Sequence, residues 1–220
     1  MNQPVPKVKI CCISSVEEAQ LAIEYGASAL GLVGAMPSGP GVISDELIAE
    51  IAAQIPIEIQ TFLLTSETEI DEIIRHHERT KTTTIQLVDV LKNGTYDDLK
   101  AALPEVKLVQ VIHVLGEETI DEALIAAEGV DYLLLDSGNP NLKVKELGGT
   151  GRVHNWSISK RVVELSPVPV FLAGGLHQDN VTSAINAVNP YSLDLCSGVR
   201  TDGKLDHVKL NVFFKAVRSG

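Results

Sequence analysis

The sequence predicts an α/β fold, a single closed (β/α)8 TIM barrel over residues 1–220. Three observations predict it. Short aliphatic runs alternate strictly with acid-opened amphipathic stretches, which implies parallel strands joined by right-handed crossovers. The alternation repeats eight times at about 27 residues per unit, a count that closes a barrel with nothing left over. No linker, low-complexity tract or short-period repeat marks a second domain. An open doubly wound sheet is the architectural alternative.

Each element has a local reason. Residues 8–12 read as a strand and 15–25 as a helix, which Ser14 or Ser15 opens and Gly26 ends; Glu17 and Glu18 lie in its first turn, where the helix dipole favours acids. Strand 28–33 is rich in Ala, Leu and Gly, and the helix that follows runs from a Ser44 cap to about 54, with Asp45 and Glu46 at its start. Strand 57–64, helix 67–77 and the β-branched strand 82–88 continue the cycle. A short helix at 96–102 precedes strand 107–113, and helix 117–127 precedes strand 130–136. After a glycine-rich connection come helix 157–165, strand 168–172, helix 178–188, strand 192–196 and a last helix at 206–217.

Composition narrows the function classes. Apolar residues make up 45%, charged residues 21% and aromatics 4%, as in a globular protein with aliphatic strands. A formal charge of -11 disfavours nucleic acid and anionic membranes as partners, and no apolar run approaches the roughly 18 residues of a membrane span. The cysteines, Cys11, Cys12 and Cys196, form neither a disulfide framework nor zinc-type Cys-x-x-Cys pairs, which points to a reducing compartment. Residues 1–7 lack a long apolar segment, so the cytoplasm is the expected location. The six histidines form no ligand cluster, and His76-His77 reads as a surface pair at a helix end. No metal and no cofactor is expected. The expected partner is a phosphorylated small molecule, with the chain a monomer or a homodimer.

In such barrels chemistry sits where strands end and loops begin. Lys9 and Cys11 share a strand face, offering an ammonium beside a thiol; a nearby cation favours thiolate, although an unpaired cysteine is more often an inert core residue. Asp136 ends an apolar strand before Ser137-Gly138-Asn139-Pro140. Partial desolvation there suits a general acid, while Asx-type capping of the turn is the other reading. Gly174-Gly175 and Ser197-Gly198 follow the last two strands, where paired glycine loops form a phosphate cradle of backbone N–H groups. A lone Gly-Gly would be only a tight turn. Gly148-Gly149-Thr150-Gly151-Arg152 is either a flap over the mouth or an ordinary surface loop. His113 ends the fifth strand and is a candidate substrate contact. Asp194, inside the last strand, is a partner for a buried Lys9.

Five motifs in this order, Lys9-Ile10-Cys11, Leu133-Leu134-Leu135-Asp136-Ser137, Gly148-Gly149-Thr150-Gly151, Leu172-Ala173-Gly174-Gly175-Leu176 and Ser197-Gly198-Val199, resemble those of the phosphoribosylanthranilate isomerase family over nearly the whole chain. The resemblance implies a barrel of the ribulose-phosphate-binding type and an Amadori rearrangement in tryptophan biosynthesis, in which a phosphoribosyl amine becomes a 1-amino-1-deoxyketose. It implies that Asp136 protonates the furanose ring oxygen and that Cys11 removes the proton from sugar C2.

The departures cluster away from the phosphate. Cys12 stands where the family has glycine, and Ser38-Gly39-Pro40-Gly41-Val42 replaces its Ser-Pro-Arg segment, whose arginine recognises the anthranilate carboxylate. Val88-Asp89 replaces His-Gly, and Arg200 replaces glutamate. Losing a bidentate charged contact costs about 1.5–3 kcal/mol of binding. Arg200 either supplies a replacement cation or is an ordinary solvated side chain. Two alternatives therefore stand beside the isomerase: a paralogue acting on another phosphoribosyl amine, and a phosphate-ligand-binding barrel without turnover. The presence of Cys11 and Asp136 argues against the second.

Overall fold

The structure, a computed structural model, describes residues 4–149 and 151–219. Strands β1 (Lys7–Ile10), β2 (Ala29–Val33), β3 (Gln60–Thr65), β4 (Thr84–Leu87), β5 (Lys107–His113), β6 (Tyr132–Asp136), β7 (Val170–Leu172) and β8 (Ser192–Leu195) pair in sequential order into a closed parallel barrel. Helices α1 (Val16–Tyr25), α2 (Asp45–Gln54), α3 (Ile70–Thr80), α4 (Tyr96–Ala102), α5 (Thr119–Ala127), α6 (Trp156–Leu165), α7 (Val181–Val188) and α8 (His207–Ser219) alternate with the strands. The closed-barrel expectation is met, and the open-sheet alternative is excluded by the pairing of β1 with β8.

The caps act as the sequence indicates. Ser15 accepts the Glu18 backbone N–H to open α1, and Gly26, at φ 113°, ends it. Thr95 and Asp98 cap α4 reciprocally.

Several details of the elements differ from expectation, among them these three. β3 begins at Gln60, because the segment after Pro56 is a turn with Ile57 97% exposed. Helix α3 continues to Thr80 and buries both His76 and His77, so the surface reading of that pair is wrong: His76 bridges Thr65 and Asp45, and His77 bonds the Thr82 carbonyl. A short hairpin, β9 (Arg200–Thr201) and β10 (Lys204–Leu205), interrupts the chain after β8, turning through Asp202 and Gly203 at positive φ. That Asp-Gly pair is a hairpin signal in its own right.

Alternation within each strand divides the core into layers. One face of the sheet packs on the helices, with Ile10, Leu30 and Leu193 on one side and Ile85, Leu108 and Leu133 on the other. Inside the barrel, Phe62, Phe171, Tyr132 and Tyr191 form a run of ring contacts, Tyr132 and Phe171 meeting edge-on at 5.5 Å. Above them lies the buried Lys9–Asp194 pair, and above that the ends of the strands. Among the described residues, no helix is long and apolar enough to cross a membrane.

Candidate active site

Cys11 follows β1, and its backbone N–H donates to the Leu195 carbonyl at 2.9 Å, which continues the β1–β8 ladder by one residue. Below it, Lys9 Nζ lies 3.0 Å from Asp194 Oδ2 and 5.0 Å from the Phe62 ring centroid. Burial alone would push the Lys9 ammonium down; the Asp194 carboxylate and the Cys11 and Cys12 sulfurs outweigh it and hold the group above its usual value. The expected Lys9–Asp194 pairing is thus present. Sequence reading missed the residue that makes room for it: a Cβ on Gly31 would sit 2.7 Å from Cys11 Sγ and 3.1 Å from Lys9 Nζ.

Asp136 closes β6 and is buried. Burial pushes its carboxyl above the ordinary range, and nearby Asp194 adds to this; the Ser137 backbone N–H, His113 and Lys9 oppose it without cancelling it. A carboxyl held this way carries a proton to higher pH than a solvated one, as a general acid requires. Gly148 lies directly over it, where a Cβ would come 3.0 Å from Oδ2.

His113 pairs in register with Asp136, and its Nε2 lies 3.4 Å from the Val88 carbonyl. It stands beside Asp136, where it acts electrostatically on that acid, and is not among the side chains that line the cleft.

At the opposite end, Gly174 and Gly175 turn at φ 82° and 61°, conformations that favour glycine. The segment after β6 packs on them: a Cβ on Gly175 would meet the Gly151 carbonyl oxygen at 2.8 Å and the Arg152 carbonyl carbon at 2.7 Å. Ser197 faces the cleft opposite Gly151. Gly198 stands one step back, its Cα against the Leu176 carbonyl, so its place is to let the two loops meet rather than to line the cleft. Behind Gly174 is His154, which burial holds down to about 4; its Nε2 pairs with Ser159 Oγ at 2.8 Å. No sequence motif pointed to it.

The mouth is framed by the loops after β2 and β6. Ser38 Oγ donates to the Lys145 carbonyl at 2.6 Å, and Gly149 packs on Pro40. Lys145 in turn pairs with Asp89 from the loop after β4. Gly148, Gly149 and Gly151 line the cleft; Thr150 lies outside the described residues. Counting its open mouth, the cleft encloses about 730 Å3. On the side of β2 to β5 it is lined by Val33, Met36, Leu64, Val88 and Val111, with Gln86 the polar exception.

Arg200 requires a correction. It is buried, neither a solvated side chain nor a cation facing the mouth. Its Nη1 donates to Glu18 Oε1 at 2.9 Å and its Nη2 to the Cys12 carbonyl at 2.6 Å, so it ties the hairpin to α1 and to the end of β1. Among the described residues, no group of three or more His, Cys, Asp or Glu side chains is arranged to hold a metal ion.

Comparison with known proteins agrees with this geometry. Residues 8–216 match the family model for N-(5'phosphoribosyl)anthranilate (PRA) isomerase. A Methanosarcina mazei protein named N-(5'-phosphoribosyl)anthranilate isomerase 2 is 34% identical, over 95% of this chain and 96% of its own length. A Nostoc punctiforme N-(5'-phosphoribosyl)anthranilate isomerase is 33% identical, over 97% of this chain and 99% of its own. The crystal structure of the Thermotoga maritima phosphoribosyl anthranilate isomerase superposes with a TM-score of 0.80 at 27% identity, covering 98% of this chain and all of that one. Matched by the family model over residues 8–216 and by a relative 34% identical over 95% of its length, the chain belongs to the phosphoribosylanthranilate isomerase family.

Proposed function

We propose that this protein is a phosphoribosylanthranilate isomerase that converts the phosphoribosyl amine to its 1-amino-1-deoxyketose by an Amadori rearrangement, with Asp136 as general acid and Cys11 as general base. The observation that carries the reading is that one cleft presents both groups, from β1 and β6, and ends at the Gly174-Gly175 and Ser197 loops. A solved family structure holding reduced 1-(o-carboxyphenylamino)-1-deoxyribulose 5-phosphate, 25% identical with a TM-score of 0.77, supports the same ligand class.

In the proposed sequence, phosphate oxygens take backbone N–H groups of the loops after β7 and β8. Protonated Asp136 gives its proton to the furanose ring oxygen; the C1–O bond breaks and the nitrogen lone pair forms an iminium. The Cys11 thiolate then takes the proton from C2, giving an enolamine that tautomerises to the ketone. Gly148 packs over Asp136, and after product leaves Cys11 gives up its proton and Asp136 regains one through solvent, which resets the pair for the next turnover. The proposed protein is a one-domain, cofactor-free enzyme of the cytoplasm, a setting that its free cysteines support.

A second reading, the same chemistry on a different N-substituent, is favoured by one observation: among the described residues, no Lys or Arg lines the cleft. Turnover of phosphoribosylanthranilate by the purified chain, with Cys11→Ala as control, separates the readings. Turnover lost in the variant supports the isomerase. Absence of turnover, with ribulose 5-phosphate still bound, transfers support to the other amine. Turnover surviving in the variant removes Cys11 as the base.

A further inference from the structure

Three sulfurs meet at the end of the β1–β8 seam, and the proposed rearrangement uses only one. Cys11, Cys12 and Cys196 all line the cleft. The Ile10↔Leu195 register and the Cys11 N–H bond to Leu195 bring residue 11 level with residue 196 and leave residue 12 one step further along, diagonal to it. Such a diagonal combines about 4.8 Å across the strands with about 3.3 Å along them, roughly 6 Å between Cα atoms and within the range that a disulfide spans. Cys12 sits at φ 62°, a left-handed conformation that favours glycine, and Gly41, itself at φ 81°, packs against its Cβ. The Arg200 guanidinium holds the Cys11 and Cys12 carbonyls from below. The positive φ breaks the strand alternation at Cys12, so that this residue lines the same cleft as Cys11 and Cys196.

We propose that Cys12 and Cys196 are an oxidation site for hydroperoxides, closing to a disulfide across the β1–β8 seam that reversibly stops turnover at the neighbouring Cys11.

The two thiols are unequal in a way that suits such a reaction. Hydrogen bonding from Cys12 and the charge of Arg200 lower Cys196, whereas hydrogen bonding to Cys11 and Cys196, with burial, raises Cys12. Cys196 is also the more open to water, Cys12 being only 6% exposed. Cys196 is thus the attacking thiolate and Cys12 the resolving thiol. The Cys196 sulfur attacks one peroxide oxygen; the S–O bond forms, the O–O bond breaks, and the leaving hydroxide or alkoxide takes a proton. The Cys12 sulfur then attacks the Cys196 sulfenic acid; the S–S bond forms, the S–O bond breaks, and hydroxide leaves with the Cys12 proton as water. The sulfurs lose two electrons in all and the hydroperoxide gains them. The bond joins the residue after Cys11 to the residue before Ser197, drawing the base and the phosphate loop out of register.

The test treats the full chain with hydrogen peroxide and reads mass, peptide map and turnover of phosphoribosylanthranilate, each variant against its own untreated rate. The expected result is a mass lower by about 2 Da, a bond that fragmentation maps between Cys12 and Cys196, and a fall in turnover of about tenfold or more that dithiothreitol reverses. Cys12→Gly, which suits the backbone there, is expected to form no such bond and to carry Cys196 on to the sulfinic acid, a gain of about 32 Da that dithiothreitol does not reverse. Three outcomes would overturn the proposal: no bond in the wild-type chain, a bond mapped to Cys11, or the same reversible loss in Cys12→Gly. Mass and mapping need no turnover, so failure of the isomerase reading would not be mistaken for failure of this one.

Discussion

Lys9 Nζ and Asp194 Oδ2 lie 3.0 Å apart inside the barrel, with side-chain exposures of 0% and 8%. An ion pair so placed holds together the first and last strands at the level just beneath Cys11. Its two members are interdependent, because a buried charge without its partner is far more costly than a buried pair.

Asp194→Asn should therefore cost about 3–5 kcal/mol of stability, read as a drop in the urea midpoint. The double variant Lys9→Met, Asp194→Leu should recover most of that loss. Equal midpoints for wild type and Asp194→Asn would show that the pair carries no structural charge balance.

Asp136→Asn should lower kcat by about 100- to 10,000-fold, as loss of a general acid does. It should also change stability with pH. The folded-state pKa of Asp136 is raised, so the acid's stabilising contribution is full below the unfolded value near 3.9 and is lost as pH rises through the folded value. The asparagine variant escapes that loss and should be the more stable of the two at neutral and alkaline pH, with the advantage vanishing in acid. Parallel stability curves across pH would contradict the burial of that charge.

Gly175→Ala forces a side chain against the backbone at Gly151 and Arg152 from a conformation at φ 61°. That segment must lift, so KM for the phosphorylated substrate should rise by about ten- to a hundredfold, with kcat falling less. A loss confined to kcat would place this loop away from ground-state binding.

Arg200→Ala should destabilise the chain by about 1–3 kcal/mol, because half-buried Glu18 loses its charged partner while keeping the Ser14 and Leu205 donors. It should weaken carboxylated and uncharged ligands equally. A selective loss for carboxylated ligands, measured by titration calorimetry, would restore a recognition role that the geometry does not support.

The barrel was legible in the sequence because each of its strands is a short aliphatic run flanked by caps that act locally, such as Ser15 and Gly26. Asp136, Gly174, Gly175 and Cys11 were legible as strand-end residues because strand ends converge in a closed barrel. Arg200 was misread because its partners are remote: Glu18 is 182 residues away, and no local pattern reports a contact of that length. His76 was misread for a related reason, since its burial depends on Thr65 and Asp45, which lie on other elements. Gly31 was passed over because its function is the absence of a side chain beside Cys11.

The seam between β1 and β8 also governs how the chain must be made. Arg200 and the Cys11 carbonyl it bonds are 189 residues apart, so this closure is among the longest-range contacts the molecule forms. A nascent chain still missing β8 has Lys9 without its counter-ion and β1 with an unpaired edge, a species prone to sticking to other chains. Closing the ring is costly in loop entropy, and contacts of this kind slow folding. Productive synthesis thus depends on the emerging half-barrel being shielded until its last strand leaves the ribosome.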